Sequence, residues 1–180
     1  MNICVFCGSN PAIGEPYVTA AREVGQAIGR GGHALVFGGF EMGLMGEVAR
    51  AAKAAGARVI GVVPKTLVGA PHRVIFDADE LIQTVDLAQR KRVMEDAADG
   101  FISLAGAYGT LDELYEVLAM RKAAQGSPAP VALVNTDGFY DPLAAMHAVM
   151  LERGFMSQDD FDYARFVPDG AAAVHALERA

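Results

Sequence analysis

Short apolar runs alternate with longer amphipathic stretches along almost the whole chain. Five of the runs predict buried β-strands, over residues 3–7, 34–37, 58–63, 101–104 and 131–135. The longer stretches repeat their apolar residues at helical spacing and predict helices, over residues 17–30, 44–55, 87–97, 111–123, 142–153 and 170 to the end. Residues 65–80 carry the turn residues Gly69 and Pro71 and are expected to be irregular.

This alternation predicts an α/β fold, a Rossmann-like, doubly wound parallel sheet flanked by helices on both faces. No repeat or linker divides the chain, so we expect residues 1–180 to form a single domain. Ligands of such folds bind outside the carboxyl ends of the strands. Small-residue turns follow three of the predicted strands, at Gly8-Ser9, Gly38-Gly39 and Gly106–Gly109. Together they predict one pocket built from three loops.

The composition narrows the range of functions. The chain has 180 residues, 52 % of them hydrophobic and 21 % charged, and a net charge of −7. Because an acidic chain offers no general basic face, we expect no nucleic-acid binding. No apolar run approaches the roughly 20 residues that cross a bilayer, so we expect no membrane association.

The two cysteines, Cys4 and Cys7, have C-x-x-C spacing. Both fall in the first predicted strand, where residues three apart point to opposite faces of the sheet. This placement favours two buried thiols in a reducing compartment over a shared metal ion or a redox pair. We therefore expect a cytoplasmic protein.

The segment from Ala105 to Glu113, with the sequence AGAYGTLDE, follows a predicted strand and leads into a predicted helix. Small residues let a backbone approach an anion closely, and a helix N-terminus favours negative charge, so this loop predicts a phosphate site. Two interpretations remain open for Thr110 and Glu113. They could form a capping box, in which Glu113 folds back onto its own helix, or Glu113 could face a phosphorylated substrate.

A basic triplet, Arg90-Lys91-Arg92, lies in the helix predicted over residues 87–97. An isolated triplet of this kind usually marks a solvated helix face. This one is the densest basic cluster of an acidic chain and precedes the strand that ends in the phosphate loop. That position favours binding of phosphate or of a developing charge.

The glycines of the segment from Gly38 to Gly46, with the sequence GGFEMGLMG, do not have dinucleotide-fingerprint spacing. They predict either close helix–sheet packing at Gly43 and Gly46 or a direct substrate contact at Gly39. The chain contains neither a P-loop nor a nucleophile elbow.

The four histidines have no metal-ligand spacing; they are His33, His72, His147 and His175. We therefore predict no metal and no cofactor. Hydrolysis would then depend on a carboxylate, an arginine and backbone dipoles.

Together, these segments resemble the lonely guy (LOG) family of cytokinin riboside 5′-monophosphate phosphoribohydrolases, whose members are often named lysine decarboxylases. Cys7-Gly8-Ser9-Asn10 resembles the opening G-S motif of the family, and the segment from Gly38 to Gly46 resembles its G-G-G-x-x-G-L-M-G. Arg90-Lys91 resembles its R-K pair, and the segment from Ala105 to Glu113 its P-G-G-x-G-T-x-x-E. The likeness covers nearly the whole chain.

The resemblance implies a homodimer that hydrolyses the N-glycosidic bond of a nucleoside 5′-monophosphate, either AMP or an N6-substituted adenine nucleotide. The products would be a free base and ribose 5-phosphate. It implies catalytic roles for Arg90 and Glu113. It also implies a set of substrate- and phosphate-binding residues, namely Gly8, Ser9, Gly39, Lys91, Gly106, Ala107, Tyr108, Gly109, Thr110 and Asp112.

The chain departs from the family pattern at several positions. Ala105 and Ala107 stand where the phosphate motif has Pro and Gly, and Phe40 stands where the other loop has its third Gly. Leu87 and Ala88 replace the usual Met and His before the Arg-Lys pair. These differences leave room for an altered base specificity or a weakened enzyme.

Two rival functions follow from the same resemblance. One is a carrier of a nucleotide-like cofactor, as in the similar molybdenum-cofactor carrier proteins. A carrier needs no carboxylate at the sugar, so the presence of both Arg90 and Glu113 favours the enzyme. The other is a lysine decarboxylase, which we disfavour because Lys65, Lys91 and Lys122 show no sign of a pyridoxal-phosphate site.

Overall fold

The computed structural model describes residues 1–71 and 73–180, and a parallel sheet forms its centre. The seven strands are β1 (Asn2–Phe6), β2 (Ala34–Phe37), β3 (Val59–Pro64), β4 (Glu80–Thr84), β5 (Gly100–Ser103), β6 (Val131–Val134) and β7 (Ala164–Val167). They lie in the order β4-β3-β2-β1-β5-β6-β7, and every adjacent pair is parallel. The predicted α/β fold with a parallel sheet is confirmed.

Helices cover both faces of the sheet. They are α1 (Glu15–Arg30), α2 (Gly43–Ala54), α3 (Leu87–Asp96), α4 (Tyr108–Lys122), α5 (Asp141–Glu152), α6 (Gln158–Tyr163) and α7 (Gly170–Glu178). Helices α1, α2 and α7 bury apolar residues in one core, and α3 to α6 pack against the other. Because both faces are covered, the central strands β1, β3, β5 and β6 are almost entirely buried, which explains their continuous apolar runs.

The two cysteines lie on opposite faces of the sheet, as predicted. Cys4 belongs to the core beneath α3 to α6, and Cys7 belongs to the core beneath α1 and α2. Both are buried free thiols.

Two strands and one α-helix of the described residues were not predicted from the sequence, namely β4, β7 and the short helix α6. Strands β4 and β7 are the two edges of the sheet, and both are only partly buried. Because an edge strand has a neighbour on one side only, it lacks the long apolar run that marks the inner strands. His72 lies outside the described residues.

The strand order reverses at β1, whose neighbours are β2 on one side and β5 on the other. In open parallel sheets this switch point opens a crevice between the loops that leave the two strands. Here the loops are joined at their base, because the Gly8 N–H donates to the Ala105 carbonyl at 3.0 Å.

Candidate active site

A cavity of about 600 Å³ lies over the carboxyl ends of β1, β2 and β5. The loops after β1 and β5 line it through Gly8, Ser9 and Gly106. The loop after β2 contributes Phe40, whereas the Gly38-Gly39 turn itself is not part of the lining. One pocket formed by three loops is present, as predicted, but the second loop lines it through a different residue. Its remaining walls include side chains that the motifs did not mark, among them Ile13, Tyr17, Leu67 and Arg73.

Arg90 and Glu113 meet in the wall of this cavity. Nη1 of Arg90 donates to Oε1 of Glu113 at 2.9 Å, and each side chain is only 11 % exposed. Arg90 comes from the first turns of α3, which begins at the Asp86 cap, where the carboxylate accepts from the Gln89 N–H at 2.8 Å. Nε of Arg90 also donates to the Val62 carbonyl of β3 at 3.1 Å, so two bonds fix the orientation of the guanidinium.

A glycine makes room for this arginine. A Cβ atom at Gly38 would overlap Nη2 of Arg90 and would lie 2.8 Å from Sδ of Met45. Gly38 was not among the predicted site residues. It nevertheless has a part in the site, since the guanidinium passes over the end of β2 at the point where Gly38 lacks a side chain.

Burial raises the pKa of the Glu113 carboxyl above its ordinary value, and the neighbouring Arg90 guanidinium opposes that rise. Arg90 lowers the pKa of Glu113 because an adjacent cation favours the ionised carboxylate. Glu113 is therefore a buried carboxylate whose ionised form is favoured mainly by Arg90.

The first turn of α4 presents backbone N–H groups to the cavity. The N-terminal N–H groups of a helix have no partner within the helix, and the cap residue, Ala107, provides no side-chain acceptor for them. Gly106, Ala107, Gly109 and Thr110 all line the cavity. This first turn offers both partial positive charge and free donors to an anion.

The substitution of Ala107 for the family's glycine causes no backbone strain. Ala107 has φ −96° and ψ −153°, which an L-residue adopts freely. Gly106 is more restricted, because a Cβ atom there would overlap Oγ1 of Thr110 and would lie 3.0 Å from the Gly8 nitrogen. Close packing thus requires glycine at position 106. At position 107 the backbone accepts alanine in place of the family's glycine.

The capping-box interpretation of Thr110 and Glu113 is wrong. Helix α4 begins at Tyr108, three residues earlier than predicted, so Thr110 lies inside the helix. The cap is Ala107, and no side chain caps this helix. The Glu113 carboxylate bonds to Arg90 instead of its own helix.

Four of the predicted binding residues lie outside the cavity lining; they are Gly39, Lys91, Tyr108 and Asp112. Nζ of Lys91 donates to Asp112 at 2.9 Å and forms a further ion pair with Glu116, which joins α3 to α4. Tyr108 is 90 % exposed. Lys91 and Asp112 therefore belong to an ion-pair cluster with Glu116 that lies outside the cavity lining.

The glycines of the second loop mostly serve packing. Gly39 has φ +77° and a Cβ atom there would overlap the Val63 side chain. A Cβ atom at Gly43 would lie 2.6 Å from the backbone of Ser9, and one at Gly46 would overlap the Glu41 carbonyl. The helix–sheet packing predicted at Gly43 and Gly46 is wrong, because both glycines pack closely against the backbones of loops and not against the sheet.

Tyr140 binds the end of β5 through hydrogen bonds of its buried hydroxyl. Its hydroxyl donates to the Leu104 carbonyl at 2.7 Å and lies 2.8 Å from Oγ of Ser103. Its N–H donates to Oδ1 of Asn135 at 2.7 Å. The buried phenol thus holds the strand end from which the phosphate loop begins.

The remaining reactive groups of the cavity are few. Cys7 lines it, but burial raises the pKa of its thiol far above the ordinary value, so it is not available as a thiolate nucleophile. No lysine is found among the described residues that line the cavity, so an amine for a Schiff base is missing there.

The described part of the chain contains no cluster of three or more His, Cys, Asp or Glu residues arranged to hold a metal ion. It also contains no helix with the length and hydropathy of a membrane span.

Comparison with known proteins identifies the family. A family model described as "Possible lysine decarboxylase" matches residues 45–177. The cytokinin riboside 5′-monophosphate phosphoribohydrolase LOG3 of Arabidopsis thaliana is 37 % identical over 177 residues, which cover 98 % of this chain and 81 % of that protein. The chain belongs to the LOG family. The rice (Oryza sativa subsp. japonica) enzyme LOG is 40 % identical over 158 residues, which cover 87 % of this chain and 64 % of that protein.

Membership in the LOG family confirms the resemblance seen in the sequence. It also confirms the prediction of an enzyme, since the named relatives of this LOG-family chain are hydrolases. Among solved structures, the molybdenum cofactor carrier protein of Chlamydomonas reinhardtii is similar, with a TM-score of 0.71 and 26 % identity over 99 % of this chain and 96 % of that one.

Proposed function

We propose that this protein hydrolyses the N-glycosidic bond of a nucleoside 5′-monophosphate and releases a free base and ribose 5-phosphate. One observation carries the proposal. The buried pair of Arg90 and Glu113 lies in the wall of the same cavity that receives the N-terminus of α4. A phosphate site and a carboxylate beside it are the two groups that a nucleotide glycosidase requires.

The proposed binding mode follows the order of the strands. The 5′-phosphate accepts from the N–H groups of the first turn of α4, after β5. The ribose lies beside Glu113, which comes from the same helix one turn further along. The base then extends toward Phe40, at the end of β2 on the other side of β1.

The reaction breaks the bond from C1′ of the ribose to the base nitrogen, and the bonding electron pair leaves with the base. The ribose ring acquires oxocarbenium character, which the Glu113 carboxylate stabilises electrostatically. Water adds its oxygen to C1′, one of its protons goes to the base, and the other stays on the new hydroxyl. Arg90 positions Glu113 and holds it in the ionised form.

The relatives are named for a cytokinin riboside 5′-monophosphate, which supports a nucleotide of that kind as substrate. The expectation from the sequence, AMP or an N6-substituted adenine nucleotide, stays a prediction about the base. The apolar residues Ile13, Leu67 and Leu87 in the cavity lining are compatible with such a purine. Phe40 stands where the family has a glycine, and because it lines the cavity, this substitution can change which base the protein accepts.

The direct test is to incubate the protein with AMP, GMP, CMP and isopentenyl-AMP and to measure free base and ribose 5-phosphate by chromatography. We expect release from at least one nucleotide. The matching nucleosides, which lack the phosphate, should react at least about 100-fold more slowly, because they lose the charged contacts at α4. Tight nucleotide binding without any release would contradict the proposal and would favour a carrier, the function named for the Chlamydomonas protein.

We further propose that the protein acts as a homodimer in the cytoplasm. Several large apolar side chains outside the cavity are exposed, among them Val85, Met146 and Phe155, and such residues are enriched where copies associate. Two buried free cysteines are compatible with a reducing compartment. Light scattering after gel filtration should give the mass of two chains, and a mass of one chain would contradict the dimer.

A further inference from the structure

Arg73 supplies a second cation to the cavity. Its side chain lines the cavity and is half-buried. Its Cζ lies 5.4 Å from the centroid of the Phe40 ring, which places the guanidinium over an aromatic face. Within the part of the chain that the structure describes, no carboxylate lies within ion-pair distance of Arg73, whereas Arg90 is paired with Glu113. Arg73 is therefore the cavity arginine whose donors are available to a ligand.

The backbone holds Arg73 in this position. The Glu41 N–H donates to the Val74 carbonyl, and the Phe76 N–H donates to the Gly39 carbonyl, each at 2.9 Å. These bonds form a short antiparallel bridge between Phe40 and Ile75. The chain on either side of Phe40 is thus fixed to the segment that follows Arg73, and the arginine has a defined place.

Arg73 and the phosphate-binding turn lie at different ends of the cavity. The turn follows β5 and Phe40 follows β2, with β1 between them. Two strand spacings separate their ends by roughly 10 Å. A nucleotide whose phosphate lies at α4 and whose ribose lies at Glu113 would therefore bring its base to Arg73 and Phe40.

We propose that Arg73 recognises the base through its acceptor edge, and that this extends the reaction to 6-oxopurine nucleotides such as GMP and IMP in preference to AMP. The inference rests on the proposed function and differs from the expectation from the sequence in the class of base, a 6-oxopurine in place of adenine. A guanidinium has donors only, and it forms paired bonds with O6 and N7 of guanine. Adenine offers N7 but has an amino group in place of O6, which opposes the second bond.

The same contact assists the departure of the base. When the glycosidic electron pair leaves with a 6-oxopurine, part of the negative charge appears on O6 and N7. Arg73 lies where it would stabilise this charge, and the Phe40 ring beneath it holds the guanidinium plane. Its contribution is thus larger in the transition state than in the bound nucleotide, which raises kcat as well as affinity.

The test compares kcat/KM for base release from GMP and AMP in the wild-type protein and in Arg73→Met, Arg73→Lys and Arg153→Met. We expect the wild type to prefer GMP, and Arg73→Met to lower the GMP-to-AMP ratio by on the order of tenfold or more. Arg73→Lys keeps the charge but loses the planar fork, so it should retain only part of the preference. Arg153 is exposed at the end of α5, and its substitution should leave the ratio unchanged.

Binding is measured in parallel so that the two proposals can fail separately. The dissociation constants of GMP and AMP are determined in a Glu113→Gln background, with and without Arg73→Met. A wild-type preference for AMP, or a ratio that Arg73→Met leaves unchanged in both assays, would overturn the role of Arg73. If the wild type releases no base from any nucleotide, the proposed function fails. The dissociation constants then decide alone whether Arg73 recognises the 6-oxo group.

Discussion

Nη2 of Arg90 occupies the space that a side chain at Gly38 would fill, and Gly38 is the first residue after β2. Arg90 comes from α3 and its carboxylate partner, Glu113, comes from α4. The two side chains can meet over the end of β2 because Gly38 has no side chain there. The position of Arg90 is thus controlled by a residue that itself has no chemical group.

Gly38→Ala should therefore impair the reaction without unfolding the protein. The new methyl group would displace the guanidinium from Glu113, and a misplacement of about 1 Å can cost about 100-fold in rate. Base release is the measurement, with thermal unfolding as a check on the fold. Gly14→Ala is the matched control, because a Cβ atom there has no neighbour closer than 3.8 Å. Equal rates for the two variants would contradict this role of Gly38.

The pH dependence of base release should report on Glu113. Burial raises its pKa above the ordinary value of 4.5, so the ionised form is lost at a higher pH than for an exposed glutamate. The acid side of the rate profile should consequently have its midpoint above 4.5. In Arg90→Met the cation that lowers the pKa is gone, so the midpoint should move to still higher pH. A midpoint that does not move, or that moves to lower pH, would contradict the coupling, and Arg153→Met should show the wild-type profile.

Ala107→Gly restores the residue that the family motif has at this position, yet we expect no gain in activity. Ala107 already has a negative φ, so the methyl group imposes no strain that glycine would relieve. Glycine does increase the freedom of the unfolded chain, which should lower the free energy of unfolding by about 0.4–1 kcal/mol. Denaturant titration measures the loss and base release measures activity. A rise in activity of tenfold or more would show that Ala107 constrains the phosphate site.

The inner strands of the sheet could be predicted from the sequence because a strand that is buried on both faces appears as a continuous run of apolar residues. Strands β1, β3 and β5 are continuous apolar runs bounded by turn residues. Strand β4 has the alternating burial of a sheet edge, with Leu81 41 % exposed, and so its five residues resemble a loop. Helix α4 was predicted to begin too late because Tyr108, Gly109 and Thr110 are weak helix formers.

The site was predicted in part, and the reasons differ from residue to residue. Arg90 and Glu113 were both marked through the family resemblance. Local sequence left a capping role open for Glu113, because a pair 23 residues apart on two helices has no local signal. Arg73 had no signal either, since it lies in an irregular segment and its position depends on backbone bonds to residues near Phe40. Such contacts between loops are long-range, and no periodicity indicates them.

The central claim is that Glu113 is the carboxylate that stabilises the ribose as the base departs. The most direct measurement is the rate of base release by Glu113→Gln, which keeps the size of the side chain and removes its charge. Glu116→Gln is the control on the same helix, since Glu116 pairs with Lys91 outside the cavity lining. We predict that Glu113→Gln releases base at least about 100-fold more slowly than the wild type while still binding the nucleotide, and that Glu116→Gln does not. Release by Glu113→Gln at the wild-type rate would contradict the account.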